Sequence, residues 1–379
     1  MTCTLTSPMT ITLRLSLSAA ILLMISGCGG SSTPSVPVST PTSAPQSLAK
    51  FAYVANDLDN SISMYTVSSK GTWTPTSPAT VAAGTQPAVV VVDSQGKFAY
   101  VSNIRDATIG QYAINQTTGV LTPLSPATAP SGALPQDFTL HPSGNFAYSA
   151  NSNDGSVTVF SVDRTTGLLT PKGNVALPGN SVSSPIAVTV NPAGTFLYVI
   201  NDAVQVLAID ATTGGLTLQP SSVYAGERAF KLAFDTTGKF AYVPDNGSSN
   251  VYEFSADPAT GKLTPLSSSP VNSGNQPAWV AVDPTDKFAY VSNRFGSTVS
   301  TFNIAASSGL LTPSALDSAS GVDFPWPILF DPSGQILYVL NEDGENVTSY
   351  ATHSDGTLTQ LGTVPTGHAP WSFALVSAP

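Results

Sequence analysis

Three observations predict an all-β chain folded as a seven-bladed β-propeller of four-stranded antiparallel blades, closed by strands from both termini. The first is a strand motif that returns as KFAYVAN at Lys50, KFAYVSN at Lys97, NFAYSAN at Asn145, TFLYVIN at Thr195, KFAYVPD at Lys239, KFAYVSN at Lys287 and QILYVLN at Gln335. Its leading Phe or Ile recurs every 44 to 50 residues, a period that marks a solenoid, a propeller or an array. The second is a pair of recurrent turns. One reads HPSGN, NPAGT, DTTGK, DPTDK and DPSGQ; the other reads TTGVLTP, TTGLLTP, TTGGLTL, ATGKLTP, SSGLLTP and SDGTLTQ. The third is that the ends are complementary. The first unit, from Phe51, lacks an inner strand, and Pro370–Val376 is an inner strand with nothing after it. Joined, they make one complete sheet and remove an edge that would otherwise invite aggregation.

The N-terminus precedes the fold. Ile11–Ser26 is an apolar stretch broken only by polar small residues and Arg14, and it ends in Ile25-Ser26-Gly27-Cys28. That length suits a signal peptide better than a membrane span. ISGC resembles the bacterial lipobox, with Ile25 where Leu is more usual. Residues 1–27 are therefore expected to be a lipoprotein signal peptide and Cys28 the lipidated residue. With Cys3 removed and Cys28 acylated, the two cysteines of the chain leave no disulfide framework, thiol nucleophile or Cys-based metal site. Residues 28–48 are rich in Ser, Thr, Pro and Gly, too polar and aperiodic to bury a core, and read as a tether. The propeller is expected over residues 49–379.

Within one blade each element has a local cause. Pro87–Asp93 is a continuous apolar run, as a strand covered on both faces requires. Ser94–Lys97 turns the chain, Phe98–Asn103 is a second strand with aromatic and β-branched content, and Thr108–Ile114 is a third. In the turns, Asp or Asn caps, Pro sets φ, and Gly takes the position where φ is positive. Composition agrees. The chain of 379 residues is 41% hydrophobic and only 9% charged, and its 30 Gly and 31 Pro fall short of the roughly 25–30% that suggests a disordered chain. The net charge of −10 provides no basic patch and argues against nucleic acid as a partner.

The YVxN strands with their DPSGQ and TTGxLTP turns resemble the seven-bladed lactonase propellers, the group that includes bacterial 6-phosphogluconolactonase; YVTN-type surface propellers are similar in pattern. The resemblance spans roughly Lys50–Val376. It implies a site at the channel mouth, where the outer strand of one blade leads into the inner strand of the next. Enzymatic members tend to carry a Gly-Pro-Arg-His kind of sequence there. The matching positions in this chain read Pro87-Ala88-Val89, Pro135-Gln136-Asp137, Pro185-Ile186-Ala187, Ala229-Phe230-Lys231, Pro277-Ala278-Trp279, Pro325-Trp326-Pro327 and Pro370-Trp371-Ser372. None is Arg-His.

The candidate chemistry is correspondingly spread out. His141 occupies the Asp slot of a repeated turn and His353 an outer turn, whereas His368 precedes an inner strand beside Trp371 and could act as a general base. In the charged segment Gly226–Lys231, Arg228 and Lys231 could hold an anion and Glu227 could act as acid or base; a surface ion pair worth at most about 1 kcal/mol is the alternative. Gln136, Asp137, Arg105 and Arg294 fall on the same face by strand count. Trp279, Trp326 and Trp371 could stack a sugar ring or fill space between blades. The repeated Asn that ends the YVxN strands is expected to cap a turn. Asp57–Asn60 and Asn341–Asn346 offer clustered oxygens for Ca2+, but neither has EF-hand spacing, so no metal or other cofactor is expected. The sequence thus predicts a monomer anchored to the bacterial cell envelope through Cys28, at the outer membrane or the periplasmic face. Its mouth would hydrolyse a sugar-type lactone or, without catalysis, bind an envelope glycan or protein.

Overall fold

The computed structural model describes residues 49–178, 184–314, 319 and 321–377. The signal segment, Cys28 and the tether lie outside the described residues. The described chain forms seven antiparallel sheets, one per blade, and six of them are four-stranded. Blade 1 is built from both ends of the chain: Pro370–Ser377 is its inner strand, followed outward by Ala49–Asn56, Ser61–Val67 and Trp73–Ala82. Blade 2 runs Pro87–Val92, Phe98–Asn103, Thr108–Ile114 and Leu121–Pro130. Blades 3, 4, 6 and 7 repeat this order, from inner strands Pro135–Leu140, Ala187–Val190, Pro277–Val282 and Pro325–Phe330. Blade 5 is the exception. Its inner strand shrinks to Ala233–Phe234, and the preceding residues are tied to the blade by a single bridge from Ala229 to Asp245.

The hydrophobic interior is divided into seven clusters, each formed between two adjacent blades. The repeated strand supplies both halves of the joint. The Tyr of FAYV is fully buried and donates its hydroxyl to a glycine carbonyl in the outer turn of the next blade, as Tyr53 to Gly119 at 2.8 Å and Tyr198 to Gly261 at 2.7 Å. The Phe two residues earlier lies over the same glycine. Gly119 has φ +74°, and a Cβ there would stand 2.4 Å from the Phe51 ring. The position therefore requires glycine for its backbone and for its neighbour.

The repeated Asn does more than cap its own turn. Asn103 accepts from Gly84 N at 3.1 Å and donates to Thr108 Oγ1 at 3.1 Å. It ties the link entering the blade to the loop leaving its second strand. Asn293 makes the same connections with Gly274 N and Thr298 Oγ1, and Asn341 makes them with Asp323 N and Asn346 Oδ1.

Candidate functional site

The channel mouth is shaped by a backbone device at the start of the inner strands. Gln86, Leu134, Gln276, Phe324 and Ala369, each directly before a mouth proline, have φ between 48° and 59°, a left-handed conformation that costs non-glycine residues energy. Immediately after the proline the pairing slips: Pro135 faces Asn151 but Asp137 faces Ala150, and Pro277 faces Asn293 but Trp279 faces Ser292. Bulges of this kind re-aim side chains. Here they turn the residues after each proline toward the axis.

Those residues enclose a cavity of about 230 Å3 lined by Val89, Gln136, Asp137, Ile186, Phe230, Lys231, Trp279, Trp326 and Trp371. The irregular start of blade 5 lets Phe230 and Lys231 reach the axis. Trp326 packs edge-on to Phe230 at 5.0 Å between ring centroids and tilted to Trp371 at 5.6 Å. Trp326 is buried, whereas Trp279 and Trp371 are half-buried and present ring surface to the cavity. Lys231 Nζ donates to Asp137 Oδ2 at 2.7 Å and lies 5.3 Å from the centre of the Trp279 ring. Below this pair a second cavity of about 370 Å3 continues along the inner strands past Val91, Leu329 and Leu375.

Asp137 is fully engaged. Besides Lys231 it accepts from Phe138 N and Val188 N, each at 2.9 Å. Ser372, at the same repeat position, makes the corresponding bond to Val90 N at 2.8 Å. Joining neighbouring blades is thus the duty of that position, and Lys231 is the addition at blade 3.

The rim carries further charge. Arg294 is paired with Glu342 and sandwiched against Phe324 and Trp326, at 4.3 and 4.4 Å from their ring centres. Burial pushes the Glu342 carboxyl above the usual carboxylate range. Arg294 pulls it back, and the charges of Asp343 and Asp57 push it up again.

A scan against protein families matches the lactonase seven-bladed β-propeller over residues 43–184, 176–276 and 232–374. The chain belongs to the lactonase family. Structures similar to this lactonase-family propeller include a candidate 6-phosphogluconolactonase from Bacteroides uniformis, at 20% identity and TM-score 0.76 over 87% of this chain and 100% of the other. A second candidate 6-phosphogluconolactonase, from Bacteroides fragilis, has 21% identity and TM-score 0.75 over 89% and 100%. The periplasmic gluconolactonase PpgL of Pseudomonas aeruginosa has 20% identity and TM-score 0.73 over 87% and 99%. At these identities the likeness is one of fold. None of the curated proteins matches the chain.

In this lactonase-family propeller, six of the residues singled out in the sequence come together at the mouth: Gln136, Asp137, Lys231, Trp279, Trp326 and Trp371. Arg105 lines an adjoining cavity, and Arg294 backs Trp326. Glu227, Arg228 and His368 do not line either cavity. Glu227 and Arg228 are exposed, and the Arg228 guanidinium lies 5.9 Å from the outer Phe230 ring. His368 is exposed and bonds through Nδ1 to Glu345 at 2.8 Å; that bond and the charges of Glu345 and Asp59 raise its pKa above the ordinary histidine value.

Three residues of the oxygen clusters considered for Ca2+ have other partners. Asp59 accepts from His368 N and Asn60 from Gln86 N, each at 2.8 Å, and Glu342 holds Arg294. Among the described residues no group of three or more His, Cys, Asp or Glu is placed to hold a metal.

Sequence reasoning did not single out Gln86, Phe230 or Phe324. Their shared signal is position: Gln86 and Phe324 directly precede a mouth proline, and Phe230 stands where Trp326 and Trp371 stand in their own repeats.

Proposed function

We propose that the mouth hydrolyses an uncharged sugar-type lactone, with the protein held at the bacterial envelope by the lipid on Cys28. The observation that carries this reading is the pairing of charge around aromatic walls. Lys231 is neutralised by Asp137 and Arg294 by Glu342, so a phosphate held at either of these two cations would have to break an internal ion pair. A neutral ring needs no such exchange. It can stack on Trp279 and Trp371, whose faces prefer an apolar sugar surface with hydroxyls at the edge. Family membership supplies the reaction class, and the periplasmic location of the Pseudomonas gluconolactonase accords with an exported enzyme.

The test is a lactone panel given to the full chain: glucono-δ-lactone, its 6-phosphate and an aliphatic lactone. The expected result is turnover of the neutral sugar lactone with kcat/KM at least about tenfold above that of the phosphate. Trp371→Ala should raise KM roughly five- to tenfold, as the loss of about 1 kcal/mol of stacking predicts. Absence of turnover on every member would overturn the reading and leave a binding module for an envelope glycan or protein.

A further inference from the structure

The repeat position that opens each inner strand is apolar in six of the seven blades, where it holds Ala88, Ile186, Phe230, Ala278, Trp326 and Trp371. In blade 3 it holds Gln136. Closing the ring therefore does not require an amide at this position. We propose, resting on the hydrolytic reading above, that Gln136 is the specificity-determining residue of the mouth. Its amide reads neighbouring hydroxyls on a ring stacked against Trp371, and so selects a polyhydroxylated lactone over a bare one.

The amide is both free and reachable. Gln136 is half-buried, its side chain makes no hydrogen bond among the described residues, and neither polar atom of the amide is sealed from solvent. The mouth cavity of about 230 Å3 and an adjoining side cavity of about 170 Å3 have two residues in common, Gln136 and Trp371. Every other charged or amide side chain on the walls of these cavities has a protein partner: Asp57 bonds with Gln86, Gln86 with Arg105, and Asp137 with Lys231. A ligand that bonds to Gln136 displaces no internal bond.

The backbone beneath the amide is fixed in advance. Leu134 is left-handed (φ 55°), Pro135 faces Asn151 and Asp137 faces Ala150, which leaves Gln136 as the extra residue of the bulge. On its far side Asp137 is pinned by Phe138 N, Val188 N and Lys231. A position held from both sides limits the ordering cost of binding.

The chemistry of the group names its ligand. A primary amide offers an acceptor oxygen and two N–H donors without charge. Each ring hydroxyl is also donor and acceptor, so the carbonyl can accept from one while the NH2 donates to its neighbour. A phosphate or carboxylate would use the donors alone. A sugar ring lying on the Trp371 face carries its hydroxyls at the edge, and Gln136 is the residue that borders the same two cavities.

The experiment measures kcat and KM of the full chain, Gln136→Leu and Gln136→Ala on glucono-δ-lactone and on δ-valerolactone, the same six-membered ring without hydroxyls. Thermal unfolding confirms that the variants fold, and calorimetry follows binding of methyl β-D-glucopyranoside. The ratio of kcat/KM between the two lactones should fall about tenfold in both variants, through KM more than kcat, and the glucoside Kd should rise by a similar factor. Parallel losses that leave the ratio within about twofold of wild type overturn the assignment and leave the lactonase reading standing. A wild type that turns over neither lactone overturns the hydrolytic reading. Where either lactone is not turned over, the glucoside decides on Gln136: a Kd raised in both variants upholds the assignment, and an unchanged Kd or no binding by wild type overturns it.

Discussion

Glu253 shows how the repeat acts as its own control. It is 1% exposed, its Oε1 accepts from Leu311 N at 2.6 Å, and its Oε2 has no partner among the described residues. Gln111 holds the same position in blade 2. Its Oε1 takes Leu169 N at 2.6 Å, and its amide nitrogen donates to the Pro126 carbonyl at 3.1 Å. Burial pushes the Glu253 carboxyl up, and the Leu311 N–H pulls it partly back. The folded state therefore binds this proton more tightly than the unfolded chain does. The resulting stability is fully present below the ordinary value of 4.5 and is lost as pH rises through the raised folded value. Glu253→Gln removes that dependence and supplies the missing donor. The variant should match wild type near about pH 4 and exceed it by about 1 kcal/mol near about pH 8. Denaturant titrations at the two values check this, and parallel pH profiles for both proteins would refute it.

At the scale of the element, the joint between blades is a strand tyrosine reaching the next blade's outer turn. Six such bonds, 2.7–3.1 Å long, run from Tyr53, Tyr100, Tyr148, Tyr198, Tyr242 and Tyr290. The seventh joint, between blades 7 and 1, differs. Tyr338 is fully buried, but its hydroxyl makes no bond to an outer-turn carbonyl and faces the Trp73 indole instead; the two rings lie 5.0 Å apart beside a cavity of about 70 Å3. Trp73 replaces the Leu of the other outer strands. Tyr198→Phe should therefore cost about 1 kcal/mol, whereas Tyr338→Phe should cost less than about half of that, because no outer-turn bond is lost. Equal shifts in denaturation midpoint would contradict this account of the seam.

Across the whole molecule, stability depends on closure. The inner strand Pro370–Ser377 pairs with Ala49–Asn56 along its length, and Val90 N donates to the Ser372 hydroxyl, so this strand links blades 1 and 2. A chain ended at Ala369 would expose one edge of Ala49–Asn56 and open two of the seven inter-blade clusters, those holding Phe373 and Val376. Such an edge is a template for pairing with other copies. The truncated protein should lose its single unfolding transition and elute as oligomers in size-exclusion chromatography. A monomer melting within about 2 °C of the full chain would show that the ring does not depend on this strand.

The sequence by itself determined the blade count, the turns and the closure by both ends. Each is written locally: a period, a Gly where φ must be positive, an apolar run where both faces are covered. It also named most of the mouth, since Gln136, Asp137, Lys231, Trp279, Trp326 and Trp371 all sit at fixed offsets from the repeat. Only the tertiary structure decided what those residues do. Lys231 and Asp137 come from blades 5 and 3, and no local signal says that they pair across blade 4. Nor does any local signal show that His368 turns outward to Glu345. The repeat places side chains around the ring, but burial and charge pairing arise between blades, where distance along the chain carries no information.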